Sequence, residues 1–203
     1  MYLLLESIKI MGGEPQLIDL HQERVNKTLR YFNKNNTLDL YALISQVKLP
    51  EKGLYKCRIL YNLNLSFTHE LTAYERTNTL DFSIVKSNDI HYQFKFINRE
   101  IFLNLKSKSN NHEIIIVKNN KITDTSFSNL IFLKGYKWYT PSSYLLNGVM
   151  RQFLIRTKKI EETEITLDNI TEFSHFKIIN AMNSIEDGVA YPLKKIKNIN
   201  PSF

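Results

Sequence analysis

Three segments in fixed order constrain this chain more than any other feature: HYQFKFINREIFLNL at 91–105, EIIIVKNNKITDTSFSNLIF at 113–132 and WYTPSSYLLNGVMRQFLIR at 138–156. The first sets Lys95 among the apolar residues Phe94, Phe96 and Ile97. It then turns helical over 98–108, with Ile101, Phe102 and Leu105 facing inward. The second is β-rich. It turns at Asn119-Asn120-Lys121 and continues as a strand series through Phe132 and Tyr139, with Asp124 just after the turn. In the third, Pro141 breaks the chain and Gly148 precedes a helix over 149–158, where Val149, Phe153 and Leu154 are the apolar residues.

The preceding half reads as a smaller α+β region. Residues 2–10 and 16–20 are apolar and flank Met11-Gly12-Gly13-Glu14-Pro15, a hairpin turn between two strands. From Asp19 to about Phe32 the period becomes helical, with Leu20, Val25, Leu29 and Phe32 on one face and Arg24, Lys27 and Arg30 around it. A short helix is expected over 38–47. KCRILYN (56–62), LSFTHELTAY (65–74) and LDFSIVK (80–86) read as strands. Thr166 is placed to cap a helix over 167–173, FKIINAMNSI (176–185) reads as a last strand running into a turn, and the tail KKIKNINPSF is polar with a loose end. The expected division is 1–85 for the small domain and 86–203 for the larger one.

Composition narrows the classes. No apolar run approaches the roughly 20 residues of a membrane span, and Glu6 and Lys9 inside the opening apolar stretch mark it as a strand instead of a signal peptide. Cys57 stands alone, so no internal disulfide forms and a cytoplasmic setting is the default. One Cys and five scattered His give no metal-ligand spacing. The net charge of +7 fits first a Lys- and Asn-rich surface, and second an affinity for anionic ligands. The basic residues are spread along the chain and no nucleic-acid motif is present.

The ordered trio resembles the core of the class IV aminotransferases, pyridoxal-phosphate enzymes that include branched-chain and D-amino acid aminotransferases and aminodeoxychorismate lyase. The likeness runs from about residue 5 to about residue 185 and is nearest to the lyase branch. In that branch a Lys-x-x-Asn-Arg, a Thr-acid-x-x-x-x-Asn and an Asn-Gly-x-Met-Arg-Gln-Phe run follow one another. The resemblance implies a two-domain fold of the D-amino acid aminotransferase type with the cofactor between the domains, and a homodimer. Members carry an opening strand and loop ahead of the part matched by LLESIKI, so this chain reads as shortened at its N-terminus. That implies a trimmed but active enzyme, dependence on a partner chain, or a non-catalytic relative.

By the same resemblance Lys95 is the lysine that binds pyridoxal 5'-phosphate and moves protons at the substrate carbon. Its apolar neighbours favour the neutral, nucleophilic amine. Asp124 stands where most members have Glu, beside the pyridine nitrogen; it keeps the charge with one methylene less reach. His21-x-x-Arg24 matches a motif whose arginine binds the cofactor phosphate, a task suited to a planar guanidinium. Gly148-Val149-Met150-Arg151 matches the phosphate-binding helix start, where the N–H groups of Val149 and Met150 face the anion. Asn180 and Ala181 match the last phosphate loop, and Arg99 a position near the ring hydroxyl or a substrate carboxylate. Read without the resemblance, Lys95 is a strand lysine, Asp124 a turn aspartate, and Arg24 and Arg99 helix arginines. Tyr61 and Arg58, on the strand KCRILYN, are placed to face the site from the small domain, with packing the expected role of Tyr61. The implied activity is conversion of 4-amino-4-deoxychorismate to 4-aminobenzoate and pyruvate on the folate route. The alternatives are an amino acid aminotransferase using the same lysine, or a relative without catalysis.

Overall fold

The structure is a computed structural model that describes residues 3–76, 81–110 and 112–199. The chain divides into two compact units, Met1–Arg76 with Phe94–Asn98, and Thr77–Gln93 with Arg99–Phe203.

The first unit is a four-stranded sheet carrying one long helix. β1 (Leu3–Met11) turns at Gly12 and Gly13, whose φ of 60° and 78° supply the left-handed geometry of a tight hairpin, and returns as β2 (Glu14–Pro15). The helix α1 (Ile18–Tyr31) follows where its 3.6-residue apolar period begins, and a short α2 (Leu40–Ile44) is capped by Asp39, whose carboxylate accepts from Tyr41 N and Ala42 N. β3 (Leu54–Asn62) pairs antiparallel with β1 from Leu3↔Asn62 to Met11↔Leu54, and β4 (Phe67–Ala73) closes the order β2-β1-β3-β4. Leu4, Ile8, Ile10, Val25, Leu29, Cys57, Ile59 and Tyr61 form the core between sheet and helix. Tyr61 thus packs, as expected. Burial raises the Cys57 thiol pKa.

The segment 94–98 belongs to this unit, so the division is not a single cut near residue 85. Leu4 bridges Phe96, Leu5 N donates to Lys95 O at 2.9 Å and Ile97 N donates to Leu3 O at 3.0 Å. The Phe94 ring lies 4.6 Å from that of Tyr31 and 5.2 Å from that of Phe32. Backbone pairing on one side and aromatic packing on the other draw the lysine segment onto the edge of β1.

The second unit is built on a nine-stranded sheet. Its elements are β5 (Phe82–Lys86), α3 (Glu100–Ser107), β6 (Glu113–Lys118), β7 (Lys121–Thr125), β8 (Asn129–Lys134), β9 (Lys137–Pro141), α4 (Val149–Arg156), β10 (Glu161–Thr163), β11 (His175–Ile179), β12 (Tyr191–Pro192) and β13 (Ile196–Lys197). The path runs β10-β9-β8-β7-β6-β5-β13, with β11 branching onto β8. β6 to β9 are antiparallel neighbours, whereas β5 with β6 and β13 with β5 are parallel. Phe82, Phe132, Phe176 and Tyr191 pack ring to ring in the core, with Phe82 edge-on to Phe176 and Tyr191.

Three local readings change. Ile101 is 39% exposed, because α3 buries only Phe102 and Leu105 and its short span leaves no second inward row. Thr166 caps no helix. Its hydroxyl accepts from Asn169 N while Asn169 Oδ1 accepts from Thr166 N, and this closed turn leads into a single 3₁₀ turn at Ile170–Glu172. β11 is not the last strand, since β12 and β13 follow. Leu80, read as the start of a strand, and the tail end 200–203 lie outside the described residues.

Candidate active site

In the first unit the polar centre is buried under α1. Glu6 sits on β1 among apolar neighbours and is completely inaccessible. Arg24, one turn into α1, meets it side-on, with Nε 2.9 Å from Oε1 and Nη2 2.5 Å from Oε2. His21 Nδ1 lies 2.5 Å from Oε2. A charge so placed must have partners, and these are the two residues of the His-x-x-Arg motif. Burial pushes the Glu6 carboxyl upward, but the Arg24 charge and the contacts to His21 outweigh it and hold the pKa at about 2. Burial drives His21 the other way, below its ordinary value, although Glu6 opposes this; Arg24 and Lys95 add to the lowering. His21 is therefore neutral, with Nδ1–H donating to Glu6, and its buried Nε2 has no hydrogen-bond partner. Burial also raises the Tyr61 hydroxyl, helped by the nearby Glu6 charge.

The Glu6 and His21 shifts have the same sign for folding. A depressed pKa in the folded state contributes stability that is present above the unfolded value and lost as pH falls. For Glu6, from 4.5 to about 2, this is about 3 kcal/mol lost between those limits. Denaturant midpoints measured from pH 7 down to pH 2 are expected to fall below pH 4.5. Glu6→Gln should flatten that limb, and an unchanged limb in the variant would assign the acid loss to other groups.

Lys95 is half-buried, with its backbone fixed to β1 by the bond from Leu5 N. It and Arg24 lie in the first unit. The other site residues expected from the sequence, namely Asp124, Arg99, Val149, Met150, Asn180 and Ala181, lie in the second.

There the centre is the start of the β7–β8 hairpin. Asp124 pairs with Asn129 across the strands, and Asn129 in turn faces Ile179 of β11. This register brings the acid, the turn after β11 and the chain ahead of α4 to one place. Asp124 is 5% exposed and accepts three hydrogen bonds: from Asn129 Nδ2 at 2.8 Å to Oδ1, and from Leu145 N at 3.0 Å and Leu146 N at 2.9 Å to Oδ2. Burial raises its pKa to about 6 against the pull of these donors and of the Arg151 charge. Here the sign is reversed: the raised value contributes stability below pH 3.8 that is lost as pH rises through about 6. At neutral pH the ionised carboxylate is under-compensated, and a carboxylate has about four acceptor positions, of which three are filled. One place remains for a cationic N–H.

Gly148 precedes α4 and no side chain makes a cap hydrogen bond there, so the first N–H groups of the helix, those of Val149 and Met150 among them, receive no side-chain cap. A Cβ at Gly148 would stand 2.1 Å from Asn129 Oδ1. The Asn129 side chain has little freedom to yield, because its Nδ2 also donates to Leu146 O at 2.9 Å. Gly148→Ala is expected to cost about 1–3 kcal/mol by overpacking, read as a lowered denaturation midpoint; an unchanged midpoint would mean that Asn129 swings aside. Arg151 anchors the approach to the helix, donating to Pro141 O and Asn147 Oδ1, pairing with Glu162 and lying 4.2 Å over the Tyr144 ring.

Asn180 caps its own turn. Its Oδ1 accepts from Met182 N and Asn183 N, its Nδ2 donates to Ser128 Oγ at 2.7 Å, and its backbone N–H is taken by Asn183 O. Ala181 follows at the first inner position of that turn. Arg99 lies on the rings of Phe102 and Tyr92 and donates to Ser126 O in the hairpin turn, while Glu113 accepts from Ser126 N and pairs with Lys106. Arg58 faces Glu70 on the sheet surface. Two residues central to this geometry carry no role in the sequence reading. Glu6 had a signal, a carboxylate in an apolar strand. Asn129 had one too, as the last residue of the Thr-acid-x-x-x-x-Asn motif. Among the described residues no group of three or more His, Cys, Asp or Glu suits a metal ion, and no helix is long and apolar enough to cross a membrane.

A family model described as amino-transferase class IV matches residues 3–186, and the chain belongs to that family. A protein of Haemophilus influenzae (strain Rd), itself uncharacterized, is 38% identical over 189 residues, covering 91% of this chain and 100% of that one. Among solved structures, a candidate 4-amino-4-deoxychorismate lyase from Haemophilus somnus 129PT is 33% identical with a TM-score of 0.83, covering 91% of this chain and 98% of that chain. A hypothetical aminotransferase from Mycobacterium tuberculosis in its PLP-bound form shares the fold at 10% identity and a TM-score of 0.70, covering 99% and 83%. The family is pyridoxal-phosphate dependent. Each unit by itself carries residues that fit that cofactor: in the second, a buried acid with one acceptor position left and an uncapped helix start that a side chain at residue 148 would crowd; in the first, the half-buried Lys95.

Proposed function

We propose that this chain is a pyridoxal-phosphate-dependent lyase that converts 4-amino-4-deoxychorismate to 4-aminobenzoate and pyruvate, a step of folate synthesis. The observation that carries this reading is the near full-length likeness, at 33% identity, to the Haemophilus somnus candidate lyase. The Lys95-x-x-Asn98-Arg99 sequence of the lyase branch supports it.

When bound, pyridoxal phosphate supplies a sink for the electrons left at the substrate carbon. The protein's part is then assigned residue by residue. Lys95 would hold the cofactor through its amine and would serve as the base for the proton on the amine-bearing ring carbon of the substrate. Asp124 keeps the pyridine nitrogen protonated through its remaining acceptor position. The N–H groups of Val149 and Met150 and the turn at Asn180-Ala181 receive the phosphate. Arg24, whose guanidinium is held side-on by Glu6, adds positive charge for it. Arg99 serves the ring hydroxyl or a carboxylate of the substrate. Aromatisation of the ring would drive cleavage of its C–O bond to the enolpyruvyl group, and the departing enolpyruvate takes up a proton to become pyruvate. A small anionic substrate accords with the charge of +7, and a homodimer in the cytoplasm is the working form.

Purified protein with added cofactor and 4-amino-4-deoxychorismate is expected to release 4-aminobenzoate and pyruvate in equal amounts. Consumption of an amino donor and a keto acid in equal amounts, with no 4-aminobenzoate, would replace the lyase by an aminotransferase.

A further inference from the structure

We propose that Asn129 is a positioning residue that joins the pyridine-nitrogen acid to the phosphate-binding helix start, so that the two ends of the cofactor are received by one hydrogen-bonded unit. The inference rests on the cofactor reading above. One buried side chain touches both ends. Asn129 Nδ2 donates at once to Asp124 Oδ1 at 2.8 Å and to Leu146 O at 2.9 Å, and its Oδ1 abuts the Cα of Gly148. The return links run from Leu145 N and Leu146 N to Asp124 Oδ2. Acid, asparagine and the 145–148 turn therefore close a ring. Neither the carboxylate nor the start of α4 can shift without breaking a bond to the other.

The residue type follows from the geometry. Both atoms facing Nδ2 are acceptors, so an amide donor is required there, and a carboxylate at 129 would set two acids against each other. With Nδ2 turned to its two acceptors, the amide oxygen is the atom left facing Gly148, where an added Cβ would collide with it. Serine keeps a donor but reaches one partner only. Leucine keeps the volume and loses both bonds.

The test uses the full chain with pyridoxal 5'-phosphate, and separately with pyridoxal, which lacks the phosphate. Affinities are read by absorbance titration, and the ring-nitrogen shift by NMR with 15N-labelled cofactor. In Asn129→Leu the affinity for pyridoxal phosphate is expected to fall at least tenfold and that for pyridoxal at least threefold, because Asp124 Oδ1 and Leu146 O both lose the donor that orients them, leaving only the bonds from Leu145 N and Leu146 N between acid and turn. The nitrogen shift should move toward the unprotonated value. Asn129→Ser, which fills less space and keeps one bond, should fall between wild type and Asn129→Leu in all three readings, and it carries the test if Asn129→Leu does not fold. Affinities within twofold of wild type with an unmoved nitrogen shift, whatever the change in melting temperature, would reduce Asn129 to a packing residue and overturn the proposal. A wild type that binds pyridoxal phosphate in neither measurement would instead overturn the cofactor reading beneath it.

Discussion

Lys95→Ala is expected to abolish turnover while leaving a folded protein. The loss has two parts: proton transfer by a positioned side chain alone contributes about 10²–10⁴-fold, and the covalent hold on the cofactor goes with it. Folding should be spared because the contact that fixes this segment is made by the backbone. Leu5 N bonds to the Lys95 carbonyl, and the packing is made by Phe94 and Phe96 on either side. Single-turnover assays at saturating cofactor, with circular dichroism on the same sample, measure both. Activity within tenfold of wild type in the variant would remove Lys95 from the mechanism.

Arg24→Ala is expected to be a folding defect before it is a cofactor defect. As a solvated helix arginine its loss would cost little. In the structure its side chain is only 11% exposed and makes two bonds to a carboxylate that is out of contact with water. Removing one partner of a buried pair costs about 3–5 kcal/mol, since the other charge is stranded. Neutral His21 cannot replace the lost charge. Glu6→Gln in the Arg24→Ala background should recover part of the loss, and the coupling is read from a double-mutant cycle in urea. A single Arg24→Ala that unfolds within about 0.5 kcal/mol of wild type would return the residue to the surface role that its place on a basic helix face suggests.

The contrast shows where sequence information ends. The helix at Asp19–Phe32 was legible because Leu20, Val25 and Leu29 repeat at helical spacing, and it forms at Ile18–Tyr31. The first turn was legible because Gly12-Gly13 admits positive φ, although its second strand is Glu14–Pro15 and residues 16–20 lead into α1 instead of forming that strand, and α4 was legible because Gly148 precedes an apolar period. Ile101 was misjudged because in an eight-residue helix two rows fit the same period equally well. The place of residues 94–98 against β1 was hidden for a different reason. Strand pairing across some ninety residues is set by register and packing, which no local pattern encodes. The same holds within the site. Motifs named Asp124, Arg24 and the α4 start, but their states depend on partners brought in from elsewhere. Glu6 faces Arg24 only because β1 runs beneath α1, and Asn129 bridges Asp124 to residue 146 only because the β7–β8 register and the turn before α4 coincide. Asp124 in place of Glu reads in the sequence as a loss of reach. In the structure it is a fully packed carboxylate with three donors and a pKa near 6, an environment that a cationic ring nitrogen would complete.

The central claim is that this chain holds pyridoxal phosphate on Lys95. The direct measurement is to incubate the purified full chain with the cofactor, reduce with borohydride and map the modified peptide by mass spectrometry. The account predicts a yellow protein before reduction and a single phosphopyridoxyl group per chain afterwards, on Lys95 within the segment 91–105. A protein that gains no absorbance with added cofactor, or a label that maps to another lysine, would contradict it.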